Sequence, residues 1–285
     1  MKVVRTFATS ANLGPGFDTL GICFDIYNEY SFQETNKYIL EGFKEEFSYP
    51  KSNLIIQSYE KVFSYLNKSI KYIKLIELVQ NIPESRGMGS SASCIVAGVL
   101  IANEVLGNVL SKDEIFNIAS IIEGHPDNVA PLIYGGFTAS FKDEKFISVP
   151  LNVSNELKFA LLIPPFKLST KKAREVLPRN VEMKNATNNI SCSVITVKAI
   201  ENGDIELLRK VNKDQLHEPY RLALIEKSDY IKNTALNYNA SAYISGAGPT
   251  MLVISKSNII DKFELENWKK IMVNLNNTGA YVYEK

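Results

Sequence analysis

Residues 83–93 read PESRGMGSSAS, in which a proline precedes two glycines and a run of small residues. A glycine-rich turn that leads into a helix offers free backbone N–H groups and the positive end of the helix dipole to an anion. Glycines also let the backbone approach phosphates without a Cβ in between. The serine hydroxyls add donors, and one could bind the magnesium ion that accompanies ATP. The stretch therefore indicates a phosphate cradle.

Two other interpretations of this stretch stay open from its residues alone. A glycine pair is most often part of a structural loop. Gly87-x-Gly89-x-x-Ala92 also matches the dinucleotide fingerprint G-x-G-x-x-G/A, although no acidic residue clearly ends a second strand about 20 residues further on. The chain contains no G-x-x-x-x-G-K-[ST], so a phosphate cradle here has no P-loop lysine.

Two distant segments have the same character. SANLGPGFDTLG (10–21) and ISGAGPT (244–250) are small-residue turns that adjoin predicted strands. One such loop is usually structural. Three of them in one chain indicate that backbone is packed around a ligand.

The elements that must position these loops alternate irregularly. Strands are predicted over MKVVRTFAT, GICFDIYNEYSFQE, YIKLIELVQNIP, YGGFTASF, KFISVPL, LKFALLIPP, and both sides of the turn in AYISGAGPTMLVIS. Helices are predicted over NLIIQSYEKVFSYLN, ASCIVAGVLIANEVLG, STKKAREVLP, SCSVITVKAIENGDIELLRKV and PYRLALIEKSDYIKNTAL, with one more before the final strand TGAYVYEK. The Ser111-x-x-Glu114 capping box predicts a helix that runs to Gly124. This order favours an α+β fold over a doubly wound sheet.

Taken together, the motifs resemble those of the galactokinase–homoserine kinase–mevalonate kinase–phosphomevalonate kinase (GHMP) superfamily, and in detail the homoserine kinases. The matching segments are ATSANLGPGFDTLG, PESRGMGSSAS, EGHPDNVAPLIYGGF, YISGAGPTMLVI, STKKAREVLP and HEPYRLALI. They span residue 5 to about residue 255. Met88 departs from the leucine usual in the family, and the two side chains are close in volume.

The resemblance implies a two-domain α+β fold, with a domain like that of ribosomal protein S5 followed by a ferredoxin-like domain. Nucleotide and substrate would meet in the cleft between them. The polar stretch after Pro150 places the division so that residues 1–152 form the first domain and residues 153–285 the second. A homodimer is expected from the family alone.

For the nucleotide, the resemblance implies that the loop wraps the phosphates of ATP. It implies that Ser91 and Glu123 bind Mg²⁺, and that Asn53 contacts the adenine side. Outside the family context, a serine at a helix start is more often a cap, and Glu123 a solvated acid. The predicted cofactor-binding residues are Asn53, Pro83, Glu84, Ser85, Arg86, Gly87, Met88, Gly89, Ser90, Ser91, Ala92 and Ser93.

For the substrate, the resemblance implies ATP-dependent phosphorylation of the side-chain hydroxyl of L-homoserine to O-phospho-L-homoserine, a step towards threonine. Asp18 would bind the α-ammonium group, Asn12 the reacting hydroxyl, and Arg174 and Arg221 the α-carboxylate. Asn12 and Asp127 are the predicted catalytic residues, Asp127 in a positioning role. The alternatives are a mevalonate- or shikimate-type kinase of the same fold, or a ligand-binding relative without catalysis.

Composition limits the partners. The 285 residues carry 32 basic and 31 acidic groups, so the net charge of +1 does not indicate nucleic acid or a membrane surface as a partner. No apolar run approaches the roughly 20 residues of a membrane span, and the N-terminus lacks a signal-peptide pattern. The three cysteines lie far apart without C-x-x-C spacing, which fits a reducing cytoplasm.

Overall fold

Two largely antiparallel sheets carry the loops singled out by the sequence. The structure, a computed structural model, describes residues 1–285. The first part of the chain contains β1 (Lys2–Ala11), β2 (Leu20–Thr35), β3 (Ile39–Glu41), α1 (Leu54–Tyr65), β4 (Tyr72–Gln80), α2 (Ser90–Val105), α3 (Lys112–Glu123), α4 (Val129–Tyr134), β5 (Phe137–Lys142) and β6 (Phe146–Leu151). The second part contains β7 (Lys158–Ile163), α5 (Thr170–Glu175), α6 (Met183–Asn202), α7 (Ile205–Val211), α8 (Glu218–Arg221), α9 (Ser228–Asn237), β8 (Ser241–Ile244), β9 (Met251–Ser255), β10 (Lys269–Val273) and β11 (Tyr281–Glu284).

The first sheet has seven strands, with β11-β1-β2-β4-β3 in order and β5 and β6 attached through β2. Only the β3–β4 pair is parallel. Helices α1–α4 contribute much of a 29-residue core that also includes residues of β1, β2 and β4. Helix α2 is almost entirely small and apolar because it lies in the middle of this layer, and its first turn carries the predicted phosphate loop.

Helix α3 follows the start and stop signals of the sequence. Ser111 and Glu114 form the predicted capping box, and Gly124 ends the helix in the left-handed conformation at φ +93°. The chain therefore turns sharply after Glu123. This turn places the EGHPDN motif beside the start of α2.

The second sheet has four antiparallel strands in the order β10-β7-β9-β8. A β-α-β-β-α-β unit has a second helix between its third and fourth strands. Here the connection from β9 to β10 contains only the 3-10 turn Ile260–Lys262. The predicted helix before the final strand is therefore wrong, because this segment covers the sheet with isolated apolar side chains (Ile259, Phe263 and Leu265) rather than with a helical face.

The two sheets pack on each other through a shared 19-residue core. Phe24 of β2 and Phe159 of β7 meet there, with ring centroids 5.8 Å apart. The last strand, β11, returns to pair with β1 of the first sheet. The division at residues 152/153 stays a prediction, but residues 281–284 do not belong to the second sheet.

The α+β class predicted from the irregular order of elements is confirmed. The helical character predicted within residues 219–236 is present in two helices, since α8 passes into a 3-10 turn at Leu222–Leu224 before α9 begins. No helix combines the length and the apolar character that crossing a membrane requires.

Candidate active site

A cavity of about 300 Å³ lies where the predicted motifs meet. Its wall contains residues of the first sheet, of helices α5 and α8, and of all three small-residue loops. Among the predicted site residues in this wall are Asn12, Asn53, Glu84, Ser85, Arg86, Gly87, Met88, Gly89, Ser90, Ser91, Glu123, Asp127, Arg174 and Arg221. The fold therefore gathers residues up to 209 positions apart in the chain, between Asn12 and Arg221, into one site.

The phosphate loop turns its carbonyl groups away from the cavity. The carbonyls of residues 85–88 each accept a hydrogen bond from outside the loop. The donors are, in order, Leu168 N (3.0 Å), Thr250 N (3.3 Å), Ser245 Oγ (2.7 Å) and Thr9 N (3.2 Å). In a trans peptide the N–H points opposite to the C=O, so the following amides face the other way.

The amides of this loop remain free to bind an anion. None of the N–H groups of residues 87–92 donates a hydrogen bond to a backbone or side-chain acceptor. The amides of residues 90–92 are also the orphan donors of the first turn of α2, a 16-residue helix whose positive end faces the loop. The region is therefore an anion cradle built from backbone.

Gly87 and Gly89 are required by this geometry. Both have left-handed backbone, with φ of +73° and +69°. A Cβ on Gly87 would lie 2.2 Å from the carbonyl oxygen of Ser245, and one on Gly89 would lie 2.0 Å from Thr9 Oγ1. The glycines thus bring the loop against the first strand and against the 244–250 turn.

Ser91 and Glu123 form a hydroxyl–carboxylate pair at the helix start. Ser91 Oγ donates to Glu123 Oε2 over 2.8 Å. Burial raises the pKa of Glu123, and the opposing effects of His125 and Ser91 do not cancel this. The chain contains no cluster of three or more His, Cys, Asp or Glu side chains arranged to hold a metal. A metal at Ser91 and Glu123 would need its other ligands from phosphate and water, which is how Mg²⁺ is commonly bound.

Asp127 is buried beside this pair and is held by His125. Its Oδ1 is 2.6 Å from His125 Nδ1 and accepts from the amide of Asn128 over 3.0 Å. Burial lowers the pKa of His125, but the hydrogen bond to Asp127 and the charges of Asp127 and Glu123 raise it, and the net pKa is above its ordinary value. His125 thus fixes Asp127 in the wall of the site.

Asp18 and Arg174, predicted to bind opposite ends of a zwitterion, bind each other in this structure. Arg174 Nη2 lies 2.8 Å and Nη1 3.2 Å from the two carboxylate oxygens of Asp18. Both side chains are partly exposed, at 38% and 35%. Asp18 is not in the cavity wall itself, and it adjoins the site through Arg174.

Arg221 contrasts with Arg174 because it is buried, with 1% of the residue exposed. Its protein partners are all uncharged: Ala173 O, Gly246 O and His217 Nδ1. Its Nη2 donates to no group of the protein. Burial, with the charge of Arg174, lowers the pKa of Arg221 to about 10. A buried guanidinium without a carboxylate partner in the cavity wall is suited to bind an anionic group of a ligand.

Asn12 joins two of the small-residue loops. Its Nδ2 donates to Gly246 O over 2.7 Å, and its Oδ1 accepts from the amide of Asp18 over 2.9 Å. Its backbone is left-handed at φ +70°, a conformation that asparagine adopts more readily than most residues. One N–H of its amide has no partner in the protein and is available in the site.

Several predicted nucleotide residues lie elsewhere. Pro83, Ala92 and Ser93 are not in the cavity wall, and Ser93 Oγ is buried against Thr6 Oγ1 at 2.7 Å. The first turn of α2 directs the side chains of residues 92 and 93 into the core, so Ala92 can face a phosphate only with its backbone amide, and the assignment of these residues to the nucleotide stays a prediction. Asn53 is in the wall, but its Oδ1 caps α1 and its Nδ2 donates to Phe47 O.

The far end of the cavity contains residues that the sequence reasoning missed. Tyr30, Phe43 and Phe47 line it, with the rings of Tyr30 and Phe43 stacked at 6.1 Å. Flat apolar walls with a few polar groups suit a planar base. The aromatic residues in NEYSF and EGFKEEF were visible, but nothing in their spacing assigns them to the site. Thr170, at the start of α5, was also missed.

An anion cradle, a hydroxyl–carboxylate pair and two arginines around one cavity define a small-molecule phosphotransferase. Two family models match the chain: the GHMP kinases N terminal domain over residues 53–136 and the GHMP kinases C terminal domain over residues 196–273. The chain belongs to the GHMP kinase family. The α+β architecture that the resemblance implied is confirmed with it.

Relatives that match nearly the whole chain have a more specific name. A homoserine kinase of Clostridium beijerinckii is 40% identical over 100% of this chain and 99% of its own. A homoserine kinase of Clostridium botulinum is 41% identical over 97% of this chain and 93% of its own. The crystal structure of homoserine kinase from Cytophaga hutchinsonii superposes with a TM-score of 0.87 at 27% identity, covering 99% of this chain and 97% of that one. A phosphomevalonate kinase of Streptococcus pneumoniae, 14% identical with a TM-score of 0.73, shares the fold.

Proposed function

We propose that this chain transfers the terminal phosphoryl group of ATP to the side-chain hydroxyl of L-homoserine and forms O-phospho-L-homoserine, a step towards threonine. The observation that carries the proposal is the buried Arg221 with only neutral protein partners, beside a phosphate cradle. Relatives named homoserine kinase at 40–41% identity over nearly the full chain support it.

On the nucleotide side, the free amides of residues 87–92 bind the phosphates of ATP, and the aromatic end of the cavity receives the base. Glu84 would repel the phosphates, but Lys44 Nζ at 2.5 Å and Lys167 Nζ at 3.4 Å compensate its charge. Ser91 and Glu123 would hold Mg²⁺, which supplies neutralisation of the charge that develops on the transferred group. Positioning and charge compensation are the main needs of this reaction.

On the substrate side, Arg221 binds the α-carboxylate, and Arg174 adds a second guanidinium. Asp18 binds the α-ammonium group and keeps its ion pair with Arg174. The substrate therefore adds its charges to this pair and does not break it. A zwitterion fits between these charges because it brings both signs at once. A substrate without an amino-acid head, such as mevalonate or shikimate, brings no ammonium group for Asp18 to bind.

The reacting hydroxyl is held by the free N–H of Asn12. Asp127, fixed by His125, lies in the same wall and helps to orient the hydroxyl towards the phosphates. The loss of either group therefore lowers kcat more than it lowers substrate affinity.

A coupled ADP-release assay with L-homoserine, mevalonate and shikimate as separate acceptors tests the proposal. Homoserine-dependent ADP release, with O-phosphohomoserine identified by phosphorus NMR, is the expected result. ADP release with mevalonate or shikimate alone would replace the proposal with a sibling kinase activity. No acceptor-dependent release, with ATP still bound, would favour a non-catalytic relative.

A further inference from the structure

His217 is a buried histidine that the reaction outlined above does not use. It is fully buried and precedes α8, one helical turn before Arg221. Its Nε2 is 2.7 Å from the carbonyl oxygen of Gly14. A carbonyl oxygen can only accept, so Nε2 carries a proton; Nδ1 faces the guanidinium of Arg221, which can only donate, so Nδ1 is a bare acceptor.

That bare nitrogen faces the substrate-side arginine. Nδ1 of His217 lies 3.4 Å from Nη1 of Arg221. The ring also stacks on Phe17 with centroids 5.2 Å apart, and the same Phe17 ring lies 5.2 Å from the guanidinium carbon of Arg221. Hydrogen bonding and packing thus both restrict the guanidinium plane.

The segment that holds His217 is itself anchored. The buried carboxylate of Asp214 accepts from the amides of His217 and Glu218, at 2.8 and 2.6 Å. Through Gly14, the imidazole is joined to the loop that carries Asn12 and Asp18. His217 therefore connects the carboxylate-binding arginine with the loop on the other side of the substrate.

The neutrality of this acceptor matters. A carboxylate at the same position would orient Arg221 equally well, but it would pair with the guanidinium charge and compete with the ligand. A bare imidazole nitrogen orients the guanidinium of Arg221, and the positive charge of the guanidinium stays available to the ligand. The other two acceptors on Arg221 are carbonyls, which have the same property.

We propose that His217 is a positioning residue that holds the guanidinium of Arg221, in its charged and unpaired form, for the α-carboxylate of the substrate. The proposal rests on the proposed function, because it takes that carboxylate as the ligand of Arg221. His217 transfers no proton and touches no reacting atom.

Two substitutions by amide side chains distinguish the two hydrogen bonds of the His217 imidazole. In His217→Asn, the amide oxygen lies nearer to the position of Nδ1 and retains an acceptor for Arg221. In His217→Gln, the amide reaches to the position of Nε2 and retains the bond to Gly14 but not the acceptor. A lost hydrogen bond to a charged group costs about 1.5–3 kcal/mol, so His217→Gln should raise the homoserine KM by about 10-fold or more. His217→Asn should stay within about threefold, and the ATP KM should stay unchanged in both.

Equal homoserine KM values for the Asn and Gln variants, or a matching rise in the ATP KM, would overturn the proposal in favour of a purely structural histidine. A second measurement uses Arg221→Met as background, where His217→Gln should add no further rise in homoserine KM. An undiminished rise there would also overturn it. Wild-type turnover of homoserine is measured first: its absence would refute the proposed function, whereas turnover without the Asn/Gln difference would refute only the role of His217.

Discussion

In the proposed function, the two ends of the site recognise their ligands by different means. The phosphate end would use backbone amides whose direction is set by four hydrogen bonds to the preceding carbonyls. The amino-acid end would use the side-chain charges of Arg174 and Arg221 in the cavity wall and of Asp18 beside it. A backbone site depends on steric fit, and a side-chain site on charge and burial. Substitutions should therefore act by different physical routes at the two ends.

The largest effect is expected for Gly87→Ala. Its Cβ would lie 2.2 Å from the Ser245 carbonyl, and its φ of +73° is strained for alanine. A displacement of about 1 Å costs roughly 100-fold in rate, so kcat/KM for ATP should fall by at least about 100-fold. The left-handed strain of about 1–2 kcal/mol should lower stability. Gly107→Ala is the matched control, since its φ is +86° but nothing lies within 4 Å of its Cβ.

Steady-state ADP release and nucleotide binding measure both glycine variants. The control should lose some thermal stability and keep its ATP kinetics. If Gly87→Ala and Gly107→Ala have equal kinetics, close backbone approach is not what the phosphate end requires.

Glu123→Gln should have the next largest effect on activity. Removal of the carboxylate beside Ser91 should lower kcat by roughly 100-fold or more, as does removal of other groups that stabilise developing charge. Saturating Mg²⁺ should not restore it. An unchanged magnesium dependence in Glu123→Gln, measured by ADP release against Mg²⁺ concentration, would contradict a metal-binding role.

The same substitution should affect stability in the opposite direction. Because burial raises the folded-state pKa of Glu123 above its unfolded value, the favourable contribution of this group is present below the unfolded pKa and is lost as pH rises through the folded pKa. Glu123→Gln should therefore unfold at a higher temperature than the wild type at pH 8. The difference should be smallest at pH 4, where Glu123 is mostly protonated and is therefore neutral like the glutamine of the variant. Thermal melts at the two pH values measure this difference.

The two arginines should differ from each other. Truncation of a buried charge that pairs with a ligand typically costs 2–5 kcal/mol, so Arg221→Met should raise the homoserine KM by about 100-fold. Arg174 is partly exposed and paired with Asp18, so Arg174→Met should raise it only about fivefold. The ATP KM is the internal control for both, and equal effects of the two variants on the homoserine KM would show that burial does not distinguish them.

The smallest effect concerns Asn53. Asn53→Ala removes the cap of α1 and should cost about 1 kcal/mol of unfolding free energy, whereas Asn53→Asp keeps the cap acceptor. Chemical denaturation measures this difference. A rise in the ATP KM of more than about tenfold in both variants would support a direct contact of Nδ2 with the nucleotide, since Asn53→Asp alone also adds a negative charge that repels ATP.

Much of the fold and the phosphate site could be predicted from local sequence. The capping box at Ser111, the glycines at 87 and 89 and the apolar character of α2 encode their structure within a few residues, because capping and positive φ are local requirements. The family resemblance added Ser91, Glu123 and the two arginines. The prediction of a helix before the last strand was wrong because isolated apolar residues between 259 and 265 pack into the core without helical periodicity.

Local sequence thus determined where the backbone turns and which segments could bind an anion. Only the tertiary structure decided which way the amides of the loop face, since their carbonyls are held by residues as distant as Thr9 and Thr250. It also decided that Arg174 is paired and Arg221 is not, and that His217 faces Arg221. Burial and pairing arise from contacts between segments far apart in the chain, and no single segment contains that information.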